Sequence, residues 1–319
     1  MRLLITGGAG FIGSNLIRYI LDKYPNYKIV TLDKLTYSGN LENLKDIKTN
    51  SNYSFIKGDI CESKIVDKAI RDVDIVINMA AETHVDRSIA DASSFITTNI
   101  FGTYVLLEAA RKRSIKLFLQ ISTDEAYGSI QEGSFKETDP LAPSSPYAAS
   151  KAAADQLAGA YFTTYNLPII ITRSSNNFGP YQYPEKIIPL FITNLLEGKK
   201  VPLYGDGLNR RDWLFVLDNC AAIDLVLHKG RVGEIYNIAS GNELNNRELT
   251  DIILKKMSKS EDYIEYVTDR LGHDRRYSLD CSKLRALGWQ PGYNFGEGLG
   301  LTIDWYSNNR TWWQRLKKS

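Results

Sequence analysis

Arg2-Leu3-Leu4-Ile5-Thr6-Gly7-Gly8-Ala9-Gly10-Phe11-Ile12-Gly13 is the stretch whose reading decides the fold. Arg2 to Thr6 is a short apolar strand. Gly7, Gly10 and Gly13 follow in the pattern G-x-x-G-x-x-G, and Phe11, Ile12, Leu16, Ile17, Ile20 and Leu21 then keep helical spacing. Lys28 to Asp33 reads as a second strand, ending in an acid about twenty residues after Gly13. Strand, glycine turn, helix, strand and acid together form a dinucleotide cradle. The glycines let the backbone approach a pyrophosphate, the helix N-terminus faces its charge, and the acid accepts from ribose hydroxyls. The spacing is a variant of G-x-G-x-x-G, so the flanking strands and Asp33 are needed to set it apart from a plain turn. Asp33 would repel a 2′-phosphate, which favours NAD over NADP, whereas the neighbouring Lys34 points the other way.

The same alternation continues outward from this unit. Tyr53 to Lys57 is a strand leading to Gly58-Asp59-Ile60, a candidate contact for an adenine edge. Ile75 to Met79 is an apolar strand ending in Ala80-Ala81, small enough for backbone to lie against a cofactor. Ser93 to Arg113 reads as one long helix. Ile115 to Gln120 is a buried strand, a helix carries Tyr147 and Lys151, and Pro168 to Thr172 is a further strand. Apolar, unalternated strands joined by helices imply an α/β fold: a Rossmann-type doubly wound parallel sheet covered on both faces. Ligands of such sheets sit beyond the strands' carboxyl ends, where the motifs fall.

After about Arg173 the texture becomes polar, aromatic and Pro-rich, as in Asn176 to Tyr181 and Tyr183 to Lys186. We expect a smaller, interleaved α/β substrate domain, because helix-like Val216 to Leu227 and strand-like Glu234 to Ile238 are suited to return to the main sheet. The expected division is residues 1–175 plus 209–242 for the dinucleotide domain, and 176–208 plus 243–319 for the other.

Composition narrows the function classes. The 319 residues are 43% hydrophobic and 24% charged with a formal net charge of +2, which argues against a nucleic-acid partner. Three scattered cysteines (Cys61, Cys220, Cys281) do not suit a disulfide framework and point to a reducing compartment. His84, His228 and His273 lack zinc-like spacing, so no metal is expected. No charged-then-apolar signal segment and no apolar run near the roughly 18 residues of a membrane span occurs, so a soluble cytoplasmic protein is expected.

The chemistry gathers around Ile121-Ser122-Thr123-Asp124-Glu125-Ala126-Tyr127-Gly128 and Tyr147-Ala148-Ala149-Ser150-Lys151. Tyr147 and Lys151 lie one helical turn apart on one face. A nearby ammonium favours phenolate, which would make Tyr147 a usable base near neutrality. Among 19 tyrosines a bare Tyr-x-x-x-Lys says little. Inside a dinucleotide fold, after Ser122-Thr123, it points to hydride transfer at an alcohol carbon, with Thr123 donating to its oxygen. Asp124 and Glu125 would serve as helix-end or solvated acids in most loops. Beside an oxidising centre they suit an elimination: Glu125 removes the proton next to a new ketone, and protonated Asp124 gives its proton to a departing hydroxyl. Crowding and burial raise one pKa enough to keep that acid neutral.

These residues resemble the extended short-chain dehydrogenases acting on nucleotide sugars. The resemblance runs from Gly7 to Gly288-Trp289. It is carried by Ala80-Ala81-Glu82-Thr83-His84-Val85-Asp86-Arg87-Ser88, Ser122-Thr123-Asp124-Glu125, Ser145-Pro146-Tyr147, Ser174-Ser175-Asn176-Asn177, Pro184-Glu185-Lys186, Arg211-Asp212-Trp213 and Gly272-His273-Asp274-Arg275-Arg276. Thr83, Ala126, Ser174 and Leu271 depart from the residues usual there; Leu271 bears on the nucleotide pocket.

The resemblance implies 4,6-dehydration of a nucleotide-linked glucose by oxidation at C4, loss of water across C5 and C6, and hydride return to C6. It implies NAD as cofactor and dTDP-glucose as substrate, the thymidine resting on the resemblance alone. It places Asp33, Lys34, Leu35, Thr36, Asp59, Ile60, Thr98 and Asn177 at cofactor positions beside Gly7, Gly10, Phe11, Ile12, Gly13, Ala80, Ala81, Tyr147 and Lys151. It places Thr83, Thr123, Asn176, Lys186, Ile187 and Pro202 toward the substrate, with Tyr204, Arg211, Asn237, Arg270 and His273. Arg211 and Arg270 suit a diphosphate, which guanidinium grips bidentately. The helices Ser93 to Arg113 and the Ala-rich one after Lys151 are expected at a homodimer interface, although they equally suit covering the monomer's own sheet. A sugar-nucleotide 4-epimerase would share Tyr147, Lys151 and NAD but has no use for Asp124-Glu125. A binding protein without turnover would need none of the proton handlers.

Overall fold

Seven parallel strands form the frame of this computed structural model, which describes residues 1–269 and 272–317. In chain order the helices and strands of the large layer begin with β1 (Arg2–Thr6), α1 (Phe11–Lys23), β2 (Lys28–Asp33), β3 (Tyr53–Lys57), α2 (Ser63–Ala69) and β4 (Ile75–Asn78). Then come α3 (Val85–Ala90), α4 (Ser93–Phe95), α5 (Thr103–Arg113), β5 (Leu117–Thr123), α6 (Pro146–Tyr165) and β6 (Ile169–Ser174). Beyond β6 run β7 (Asn176–Phe178), α7 (Ile187–Leu196), β8 (Val201–Tyr204), β9 (Arg210–Phe215), α8 (Val216–Lys229) and β10 (Ile235–Ile238). The rest comprises β11 (Glu243–Asn245), α9 (Asn246–Lys256), β12 (Ile264–Val267), α10 (Ser282–Ala286), α11 (Phe295–Asn308) and α12 (Arg310–Lys317).

The large sheet has the order β10-β6-β5-β4-β1-β2-β3. The chain builds β1, β2 and β3 in one direction and then returns to place β4 on the other side of β1. This reversal opens a crevice at the carboxyl ends of β1 and β4. Strands β1 and β5 are buried almost throughout, without alternation, as a sheet covered on both faces requires. Leu3, Ile5, Leu119 and Ile121 face a core completed by α1 and α8; Leu4, Val76 and Phe118 face one completed by α2, α5 and α6.

The expected alternation is present, and β10 does return to the main sheet beside β6. Stretch 209–242 divides: α8 and β10 join the large layer, while β9 pairs with β7 and β11 in a separate three-stranded sheet. Strands β8 and β12 form a parallel pair, and α7, α9, α11 and α12 cover a third core around Phe191, Trp213, Tyr306 and Trp313.

Two boundaries differ from expectation. Strand β5 continues through Thr123, because pairing with β6 extends to Thr123↔Ser174. The long helix expected from Ser93 to Arg113 is continuous only as α4, a π-helical stretch Ile96–Gly102, and α5. Thr103 Oγ1 donates to the Asn99 carbonyl at 2.7 Å inside this widened stretch. Among the described residues no helix is long and apolar enough to cross a membrane.

Candidate active site

The crevice between β1 and β4 widens into one cleft lined by both the glycine turn and the proton handlers. Its floor is made by close backbone approach. Gly7 has φ +68°, and a Cβ there would lie 2.8 Å from the Ala80 backbone; a Cβ on Gly13 would lie 2.5 Å from the Gly7 carbonyl. Only glycine fits both positions. Asp33 at the end of β2 accepts from the Ala9 N–H at 2.9 Å and the Leu35 N–H at 2.8 Å, which fixes the turn against the strand. Lys34 Nζ lies 2.6 Å from Asp59 Oδ2, and Asp59 also accepts from the Cys61 N–H. Asn176 Oδ1 and Asn177 Oδ1 line the cleft as buried acceptors with no hydrogen bond inside the protein. A glycine cradle at a helix N-terminus, an acid at the second strand and orphaned acceptors fit a dinucleotide.

The wall opposite the floor carries the acids. Thr123 ends β5 in extended conformation and accepts from the Glu125 N–H at 3.3 Å, capping the short turn Asp124–Tyr127. The Thr123 hydroxyl in turn donates to Asp124 Oδ1 at 3.2 Å. Asp124 is 3% exposed, and burial, reinforced by the neighbouring Glu125 charge, pushes its carboxyl up to about 8 despite the opposing pull of Arg211. Asp124 is therefore predominantly a neutral acid at pH 7. This is the pairing of one raised and one adjacent carboxyl expected from the sequence.

Tyr147 corrects an expectation. It stands in the first turn of α6, whose Ser145 cap accepts from the Ala148 N–H at 3.2 Å; the Tyr147 N–H donates to Ser88 Oγ at 3.2 Å. Burial, followed by the Glu125 and Asp124 charges, drives the phenol well above its ordinary value, not below it. Lys151 does not counter this. Its ammonium donates to the Ile121 carbonyl at 2.7 Å, and its own pKa is lowered by burial, with Asp155 opposing. The i,i+4 spacing placed both groups on one face, but burial first and the carboxyl charges second set the phenol's direction.

Most predicted positions meet in the cleft: Gly7, Gly10, Phe11, Ile12, Gly13, Asp33, Lys34 and Thr36, then Asp59, Ile60, Ala80, Ala81 and Thr98. Thr83, Thr123, Asp124, Glu125, Tyr147, Lys151, Asn176, Asn177 and Lys186 join them, and Lys186 Nζ donates to the Thr83 carbonyl at 3.2 Å. Leu35 acts through its N–H at a backbone φ of +60° and does not line the cleft. Ile187 begins α7, and Pro202 and Tyr204 lie on β8, all outside the lining. Asn237 is fully buried, accepting from Tyr127 Oη at 3.0 Å and donating to the Phe135 carbonyl at 3.0 Å, so it holds the core together. Arg211 is buried and donates to the Asp274 carbonyl at 2.8 Å, with its guanidinium 4.2 Å over the Tyr277 ring. His273 Nδ1 lies 2.6 Å from Asp269 Oδ1. Arg270 and Leu271 lie outside the described residues.

Several groups escaped the sequence reading. Glu82, Gln182, Tyr183 and Glu185 line the cleft. The Tyr277 phenol is buried and held high by burial and by the nearby Glu125 charge, so it sits beside the acids although no motif marks it. Asn99, in the π-helical stretch, accepts from the Glu82 N–H at 2.9 Å and donates to Ser150 Oγ at 2.8 Å; Ser150 donates to the Tyr147 carbonyl at 2.7 Å.

A sheet with this topology, a glycine cradle and a Thr-Asp-Glu wall facing a Tyr-x-x-x-Lys helix defines a nucleotide-sugar-modifying short-chain dehydrogenase. A family model described as GDP-mannose 4,6 dehydratase matches residues 4–302, and the chain belongs to that family. Within it, a dTDP-glucose 4,6-dehydratase from Streptomyces niveus is 52% identical over 322 residues, covering 99% of this chain and 96% of the relative. Two crystal structures bearing the same enzyme name are similar along their whole length. That from Bacillus anthracis, in complex with NAD, has a TM-score of 0.93 and 53% identity, covering 99% of both chains. That from Streptomyces venezuelae, with NAD and TYD bound, has a TM-score of 0.97 and 50% identity, covering 99% of this chain and 100% of the other.

Proposed function

We propose that this chain converts dTDP-glucose to dTDP-4-keto-6-deoxyglucose and water, retaining NAD through the cycle. Asp124 carries the reading: a fully buried carboxyl pushed up to about 8 by burial and by Glu125, in a cleft shared with a dinucleotide cradle. An epimerase has no step that needs such an acid. The close relatives of the same name support the choice of substrate. The Lys34–Asp59 ion pair supports NAD over NADP, since it engages the one cation beside Asp33 that would welcome a 2′-phosphate.

Bound NAD supplies a two-electron acceptor at C4 and, once reduced, the donor that returns those electrons to C6. Thr123 and Tyr147 meet the C4 oxygen. Tyr147 takes its proton as C4 becomes a carbonyl. It can take that proton only as phenolate, its own proton having first passed to solvent; the cationic nicotinamide of bound NAD would favour that ionisation where Lys151 alone does not. The new carbonyl acidifies the C5 proton, which Glu125 removes. Asp124 gives its proton to the C6 hydroxyl, which leaves as water, and Glu125 returns its proton to C5 as hydride reaches C6. Asn176, Lys186 and Thr83 orient the sugar nucleotide from the opposite wall.

The chain assembles as a homodimer in the cytoplasm on this reading. Phe101, Tyr104 and Tyr165 are exposed, the Phe101 and Tyr104 rings lie 5.7 Å apart and the Tyr161 and Tyr165 rings 5.0 Å apart, giving aromatic outer surface suited to a second copy. Its free thiols suit a reducing compartment. Incubation with dTDP-glucose, followed by alkali, tests the activity: the absorbance of a 4-keto-6-deoxy product is expected. A galactosyl product without that signal would mean epimerisation instead.

A further inference from the structure

The C-terminal helix reaches back to the glycine turn through one buried side chain. Trp312 on α12 donates its indole Nε1–H to Asn43 Oδ1 at 2.9 Å. Asn43 is 1% exposed, and its amide donates to the Ala9 carbonyl at 2.9 Å. The Ala9 carbonyl also accepts from the Asn40 N–H at 3.1 Å and the Ala9 N–H donates to Asp33, so Asn43 supplies the one side-chain bond on that carbonyl among the described residues. The amide oxygen accepts from the indole while the NH2 donates to Ala9, so the two bonds together fix which way the Asn43 amide faces.

Independent strain lies in the same contact. Tyr181 has φ +68°, a left-handed conformation costly for a bulky residue. Its ring is packed by the Arg18 guanidinium at 4.2 Å and by Trp305 at 4.7 Å. Arg18 also donates to the Asn43 carbonyl, and Tyr183, two residues on and lining the cleft, donates its hydroxyl to the Leu316 carbonyl at 3.3 Å. Helix α12 is tied independently to α7, where Lys317 Nζ meets Asn194 Oδ1 at 2.8 Å.

We propose that Trp312 is a positioning residue for the bound dinucleotide: acting through Asn43, helix α12 sets the Ala9 carbonyl and so governs how long NAD is retained. This rests on the reading that the cleft holds NAD.

The test uses the purified holoenzyme and compares Trp312→Phe with Trp305→Phe, which alters the same aromatic stack but not the bond to Asn43. Bound nucleotide is quantified after rapid gel filtration at a series of times, alongside Tm. Losing one such hydrogen bond is expected to speed NAD release about fivefold in Trp312→Phe. Trp305→Phe is expected to release NAD at the parental rate even if its Tm falls as far. Parental release from Trp312→Phe, or equal acceleration in both variants tracking Tm, overturns the proposal. A parental protein that takes up no NAD overturns the functional reading itself, and the proposal with it.

Discussion

The floor and the acid wall of the cleft hold their polar groups by opposite means. The floor uses backbone: Gly7 packs against Ala80, Gly13 against Gly7, and the Ala9 N–H donates to Asp33. The wall uses charged side chains taken out of water, where Asp124, Tyr147 and Lys151 each shift toward the neutral form because burial is the largest influence on all three. Shape governs the first surface and desolvation the second. A single methyl should therefore disable the floor, whereas the wall should respond to changes of charge that leave its shape intact.

The largest effect should come from such a change on the wall. Glu125→Gln is expected to lower overall turnover by roughly 10²–10⁴-fold while C4 oxidation persists. Single-turnover absorbance of reduced nicotinamide, with no deuterium exchange at C5 in heavy water, would show it; normal exchange would remove Glu125 from the elimination. On the floor, Gly13→Ala places a methyl 2.5 Å from the Gly7 carbonyl, in rigid backbone. It should cost roughly 1–3 kcal/mol and yield protein with little bound NAD, measurable by calorimetry and nucleotide content. If NAD content is unchanged, close packing does not govern that surface.

Asn237 sharpens the boundary between the two surfaces and the core behind them. Asn237→Ala removes the acceptor of the buried Tyr127 hydroxyl, while the Phe135 carbonyl keeps the Asp280 N–H, so roughly 1–3 kcal/mol of stability should be lost with KM for the nucleotide sugar unchanged. A raised KM at parental Tm would restore Asn237 to the binding surface. The mildest probe is pH. Since Asp124 acts as its protonated form and titrates at about 8, kcat should decline above that pH, by about tenfold at pH 9. Its folded pKa lies above the unfolded value near 4, so the folded state holds the extra proton and stability falls as pH rises between those values. Asp124→Asn should accordingly gain Tm relative to the parent at pH 9, though it is nearly inactive.

Much of the floor was legible in the sequence, because it depends on local spacing: three glycines, an apolar helix and an acid at the next strand end. The wall was legible in its residue types but not in its electrostatics. Spacing put Tyr147 and Lys151 on one helical face, yet it carries no measure of burial and none of the Lys151 bond to Ile121, a residue on another element. Tyr277, Glu82 and Gln182 reach the site from loops with no periodic signal. Asn237 and Arg211 were placed toward the substrate by the resemblance alone; the bonds each makes to a main-chain carbonyl come from distant segments and carry no local signal. The bond from Trp312 to Asn43 spans 269 positions of chain, beyond any local pattern.

The widened stretch Ile96–Gly102 lets one rod change its facing midway. Bonds to the fifth residue onward make each turn broader than its neighbours, so the phase of the side chains slips between α4 and α5. Phe95 can then plug the interior, Thr98 look into the cleft, and Phe101 and Tyr104 turn outward within three turns. That stretch joins the outward Phe101 to the cleft-lining Thr98 across a single turn of backbone.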